Sequence, residues 1–219
     1  MEKDILNNSD SSSICDINRD IEPIDELSLL KMQYIELQQR FDVIEQEFKI
    51  QSSLYMKTIS DSNFASMLKE TNDYNTWFKL LPEACKRFLV VLTVKDTPGD
   101  SMPDFVYKSV IESGFTNFRK DLWNTYVGII YQNSVWCNDR HTNEEKTSYL
   151  YESLDRKFVL HAHSEAWTNG NKGDISINGK QLSVNIRGLN IVVYDLKNNK
   201  LIDSVGFDSH EQRNYIFKR

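Results

Sequence analysis

The sequence predicts an α+β protein, a β-rich head preceded by a helical stalk. Three observations predict it. Apolar residues recur in alternating steps of three and four from Leu27 to Phe48. No glycine or proline interrupts the chain between Glu26 and Leu81. Beyond Arg87, short β-branched and aromatic runs alternate with turn-forming residues at spacings too short for βαβ crossovers.

Residues 1–24 are rich in Asn, Asp and Ser and offer little to bury, so they read as a disordered acidic tail. Residues 1–26 carry eight acids against two bases, which accounts for the whole formal charge of −6 and leaves the rest neutral. A neutral remainder argues against binding a phosphate backbone, so no nucleic-acid partner is expected. The amino terminus lacks the apolar core of a secretory signal, and no run reaches the ~18 apolar residues of a membrane span. Three cysteines without metal spacing, Cys15, Cys85 and Cys137, suit a reducing compartment. The expectation is a cytoplasmic chain with no membrane span.

Residues 25–60 read as a coiled coil. Leu27, Leu30, Tyr34, Leu37, Phe41, Ile44 and Phe48 form the seam, and Tyr55 continues it after a polar Gln51. Self-association through residues 27–58 is expected; the alternative is an amphipathic helix lying on its own head. A connecting helix over 61–85 follows, apolar at Phe64, Met67, Leu68, Tyr74, Trp77, Phe78 and Leu81, with Pro82 ending or kinking it.

The head is expected over 86–210. RFLVVLTV (87–94) reads as a buried strand, and KDTPGD (95–100) as an exposed tight turn. A helix over 103–113 opens on Pro103 and closes at Gly114. Tyr126–Tyr131 is a strand with a turn at Gln132–Ser134, and the polar 138–148 stretch is a loop. Lys157–Ala166 is a strand and NGNKGD (169–174) a turn, and DISINGKQLSV folds back at Asn178-Gly179. The last hairpin pairs Ile191–Tyr194 with Leu201–Phe207 around Lys197–Lys200, and Gly188 admits the backbone by a route closed to residues with a Cβ. Residues 211–219 form a tail. The count is six to eight strands.

Three segments carry a resemblance: KDTPG (95–99), SGFTNFRKDLWNTYVGII (113–130) and INGKQLSVNIRGLNIVVYDLKNNKLIDSVGFDSH (177–210). They look like the interleukin-like EMT inducer domain, which also resembles the stem domain of protein O-mannose N-acetylglucosaminyltransferase. In the animal proteins the RGLNIVV-type hairpin comes first; here it comes last. The order therefore resembles the circularly permuted versions appended to bacterial glycosyltransferases. The resemblance covers about 86–210 and says nothing of residues 1–85. It implies two twisted, mainly antiparallel sheets with helix cover, and no catalysis by the domain itself; no cofactor is expected. It also implies a lectin-like module accessory to a glycosyltransferase or a surface-polysaccharide (capsule) assembly protein. The other role weighed is a protein-interaction adaptor whose coiled coil docks a partner.

By motif, the resemblance carries over Asp96 as the acid after the strand, Arg119 as the FRD-type arginine and Asp208 as the FDT-type acid. Trp123 takes the place of the RDxW aromatic, although two residues rather than one separate it from Lys120. Sugars present hydroxyls on an edge and C–H groups on a face, so acids and an arginine beside Trp123 or Trp136 suit a glycan. The alternative for Arg119 is an internal ion pair with one of the acids, and for Trp123 a place in the core. His161, His163 and Glu165 share one face of a strand but span too far for one tetrahedral ion, so a solvated polar face is expected there and no metal. Cys137 and His141 lack an orienting group, and no phosphate loop is present, so no enzyme is expected.

Overall fold

The structure, a computed structural model, describes residues 26–99, 101–121, 123–141, 146–209 and 217–218. The side chains of 53–58, 169 and 217 are excepted. The acidic tail, Cys15, His210, most of the carboxy-terminal tail and the Tyr55 side chain lie outside the described residues. The chain is α+β and divides into two units, Met1–Leu54 and Tyr55–Arg219.

The described part of the first unit is one helix, α1 (Glu26–Thr58), which runs on across the boundary. Its charged residues pair along its own surface, Arg40 with Glu36 at 2.8 Å and Lys49 with Glu45 at 2.8 Å. Its apolar residues face solvent.

In the second unit, α2 (Asp61–Glu70) and α3 (Tyr74–Arg87) replace the single connecting helix expected over 61–85. The break follows from Asp73, whose carboxylate accepts the Thr76 N–H at 2.8 Å and so caps the start of α3. The same hydrogen bonds from Thr76 hold that carboxyl below its ordinary range. Pro82 does not end the helix; it sits inside α3. Its missing N–H would leave the Phe78 carbonyl without a donor, and the Ser109 hydroxyl supplies one. Ser109 lies on α4 (Asp104–Glu112), where Pro103 is the cap rather than the first helical residue.

The strands are β1 (Leu89–Asp96), β2 (Thr125–Tyr131), β3 (Ser134–His141), β4 (Thr147–Glu152) and β5 (Val159–Ala166). They continue as β6 (Gly173–Ile177), β7 (Lys180–Gln181), β8 (Gly188–Asp195), β9 (Lys200–Phe207) and β10 (Phe217–Lys218). The path runs β10-β9-β8-β1-β5-β6-β7, with β2 and β3 added beside β1 and β4 beside β5. Every pairing is antiparallel except the short β1–β5 junction, where Lys95 meets Glu165 and Asp96 meets Ala166. There β1 leaves β2 for β5, and Ser164 fills the gap. Its hydroxyl donates to Val94 O at 2.5 Å and accepts from Tyr126 N at 3.0 Å. The expected loop over 138–148 is corrected: β3 continues to His141 and β4 starts at Thr147.

Period-two alternation divides the side chains between two cores. Val90, Leu92 and Val94 of β1 join Leu189, Ile191 and Val193 of β8 under Phe64, Trp77, Phe78 and Val106 of the helices. Leu89 and Val91 face the other way with Val127, Ile129 and Val192, and pack on Leu160, Ala162, Ile175 and Ile177 of β5 and β6. The layers are therefore helices, central sheet, second sheet. The 61–85 segment supplies part of the first core.

Gly188 stands at φ 94, and a Cβ there would lie 2.4 Å from the Phe207 carbonyl. That oxygen is backbone, as is the Ser209 N at 2.8 Å, so neither can rotate aside. Gly188→Ala is expected to cost about 2–4 kcal/mol in urea unfolding, from backbone strain and overpacking together.

Candidate functional site

The site residues expected from sequence fall into three places. Asp96 and Trp123 come together where β1 ends. Asp96 sits at φ 70 in a three-residue turn closed by Thr97 N–H on Lys95 O at 2.9 Å. The Thr97 hydroxyl accepts the N–H of Trp123 at 3.3 Å, and Trp123 is itself at φ 60. Positive φ is costly for any residue with a Cβ, about 1–3 kcal/mol, and is exceptional for one as bulky as tryptophan. Two such residues joined through one threonine concentrate strain at this strand end.

Two expectations change here. The Asp96 turn is not exposed; Asp96 is 9% exposed. Trp123 is not core; it is 45% exposed, because its left-handed backbone turns the side chain outward. Trp167, 60% exposed, follows Ala166, the residue in register with Asp96. Two tryptophan faces therefore flank the same strand terminus.

Asp208 lies at this end of the sheet too, since Gly188 pairs with Lys95 and Leu189 with Phe207. Its carboxylate is gripped by Arg187, with Nη2 at 3.2 Å from both oxygens and Nε at 3.3 Å from one. The internal ion pair weighed as the alternative for Arg119 is made instead by Arg187, a residue the sequence did not single out. Ser101 ties the neighbouring loop down by donating to Ser209 O at 2.7 Å.

Arg119 and Trp136 are elsewhere. Arg119 is exposed beside α4 and donates to two carbonyls, Thr116 O at 2.9 Å and Phe118 O at 2.7 Å. Trp136 is in β3, as the extra residue of a bulge opposite Ile129 and Ile130. Those residues register with Val91 and Val90, some five residues or ~18 Å along β1 from Asp96. Trp136 instead packs between Tyr131 at 5.6 Å and Tyr151 at 5.2 Å, ring centre to ring centre.

The solvated face expected at His161, His163 and Glu165 is half right. His161 meets the Ser148 hydroxyl at 3.2 Å. Glu165, however, is 4% exposed and accepts from Lys146 Nζ at 2.7 Å and from His163 Nε2 at 2.8 Å. Burial pushes its carboxyl up, but the hydrogen bonds and charges of Lys146 and His163 outweigh that, and the net shift is downward from 4.5. A depressed folded value stabilises the fold above the unfolded value, and the benefit is lost as pH falls through the folded one. The melting-temperature gap between Glu165→Gln and the parent at pH 7 is therefore expected to narrow as pH falls below the ordinary glutamate value of 4.5.

Cys137 and His141 do not meet. They are four residues apart on one strand, ~13 Å, and His141 Nε2 contacts Asp139 Oδ2 at 3.1 Å. Burial raises the Cys137 thiol to about 11 and the Cys85 thiol to about 12. No described helix is long and apolar enough to cross a membrane.

No family model, curated protein or solved structure matches the chain. The resemblance to the interleukin-like EMT inducer domain accordingly rests on the quoted residues alone. What the strand end offers chemically is two aromatic faces beside a strained, buried carboxylate and a pinned ion pair.

Proposed function

We propose that this chain is a non-catalytic binding module carried in several copies on a parallel coiled coil formed by α1. One observation carries the reading: the seam residues Leu27, Leu30, Tyr34, Leu37, Phe41, Ile44 and Phe48 are 56% to 72% exposed along one helix. A single helix gains little from its own hydrogen bonds in water and needs an apolar partner to persist. The 3.5-residue repeat matches a second copy of itself. In a parallel pair, Arg40 at a g position faces Glu45 at the following e position of the other copy, and no like charges oppose each other.

The ligand in this reading is a glycan received at the β1 end, and the setting is bacterial glycosyltransferase or surface-polysaccharide assembly. The strained Asp96 and Trp123 and the exposed Trp167 support the place; the resemblance of 86–210 supports the class. Several weak sites on one stalk gain avidity. The check is a glycan array followed by titration. Asp96→Asn, which tolerates positive φ, and Trp167→Ala are expected to weaken binding at least tenfold with the melting temperature kept. Silence of the parent against all glycans would end the glycan reading.

A second reading, an adaptor whose helix docks a different chain, has its own support. Leu29, Met32, Ile35, Val43 and Ile50 lie off the seam and are also exposed. It predicts that Val43→Asp, and not a seam change, abolishes capture of a protein partner.

A further inference from the structure

A cleft of about 530 Å³ lies between α2 and the β8–β9 hairpin of the second unit. Ser62, Ala65 and Ser66 form its helical wall, and their short side chains leave the space open. Leu201 and Ile202 lie at the strand side. Five charged side chains line it, and they are not equivalent. Asp61 is held by Arg87 Nη1 at 3.1 Å. Asp195 is spent on the hairpin turn, accepting from Lys197 N at 3.0 Å, Asn198 N at 3.1 Å and Asn198 Nδ2 at 2.6 Å. The ammonium groups of Lys69, Lys197 and Lys200 make no ion pair or hydrogen bond among the described residues.

Three unpaired cations around one concavity repel one another, and an anion placed among them removes that cost and adds attraction. That concentration of positive charge stands on a chain with a formal charge of −6. Lysine ammoniums act as point charges and suit tetrahedral oxyanions, whereas planar carboxylates favour the arginine fork. The volume falls in the ~300–1,000 Å³ range of small-ligand sites. We propose that this cleft binds a small molecule carrying two or more phosphate or sulfate groups, with Lys69, Lys197 and Lys200 as its charged contacts. The inference does not depend on the glycan site or on the stalk.

The test is calorimetric titration of the full chain with inorganic pyrophosphate at about 50 mM salt, repeated with a disulfated disaccharide. Saturable binding is expected, weakening as salt rises. A Lys69→Gln/Lys197→Gln/Lys200→Gln chain of unchanged melting temperature is expected to bind at least tenfold more weakly. Lys157→Gln/Lys180→Gln, exposed lysines outside the cleft, is expected to stay within twofold. Tighter binding of one probe assigns phosphate or sulfate as the group. No saturable binding of either, or an equal loss in both variants, overturns the proposal.

Discussion

A chain carrying Leu37→Asp and Ile44→Asp is expected to run as a monomer of 25.6 kDa under conditions where the parent runs at a multiple of that mass. Each seam Leu or Ile that becomes buried contributes about 1.5–3 kcal/mol. Association itself costs about 4–15 kcal/mol in lost freedom. Seven seam side chains in each copy exceed that cost, but two buried aspartates on adjacent layers reverse the balance, because an unpaired carboxylate in an apolar seam is expensive. The specificity control is Gln46→Asp at an outward position, which is expected to leave the mass unchanged. Arg40→Glu tests orientation. It places two acids opposite each other in a parallel pair and is expected to weaken assembly, and adding Glu45→Arg is expected to restore it. Light scattering reads all four variants.

Asp203→Ala is expected to be strongly destabilising for the second unit. Asp203 is buried, and its Oδ2 accepts from Trp77 Nε1 at 2.9 Å and from Lys218 Nζ at 2.8 Å. Lys218 also donates to Leu68 O at 3.1 Å and Lys69 O at 2.7 Å. One carboxylate thus joins α3, the last turn of α2 and the final strand. Removing it leaves the Trp77 N–H buried without a partner, about 1–3 kcal/mol, and breaks a largely buried ion pair, which alone costs up to ~3–5 kcal/mol. Lys218 keeps its two carbonyls and some solvent, so the total is set at about 3–4 kcal/mol. For a unit of this size that lowers the melting temperature by roughly 10 °C. Asp203→Asn retains an acceptor for Trp77 and is expected to lose about half as much. Asp155→Ala at an exposed turn is expected to lose almost nothing.

How far the sequence foretold this depends on which force sets each element. The α1 seam, the β1 run and the last hairpin are written as periodic apolar patterns, and periodicity is readable without a structure. Gly188 and the Asn178-Gly179 turn are written as backbone chemistry, with φ of 51 and 75 at the latter pair. The β3–β4 region escaped because both strands lie away from the path through the middle of the sheet, β3 half-buried without alternation and β4 mostly exposed, so periodicity gives no signal. The α2–α3 break turned on one Asp cap, and the tolerance of Pro82 on a hydroxyl some thirty residues away. Motif matching brought Asp96 and Trp123 to one place but not Arg119, and it did not reach Arg187. Pairing of Arg187 with Asp208 depends on sheet register across the last hairpin, which no local window contains.

A module carried in several copies requires that α1 find another copy of itself. Sedimentation equilibrium of the unaltered chain from about 1 to 100 µM measures this directly. An integral multiple of 25.6 kDa is expected at the upper end, shifting toward 25.6 kDa on dilution. A mass of 25.6 kDa across the whole range would contradict it.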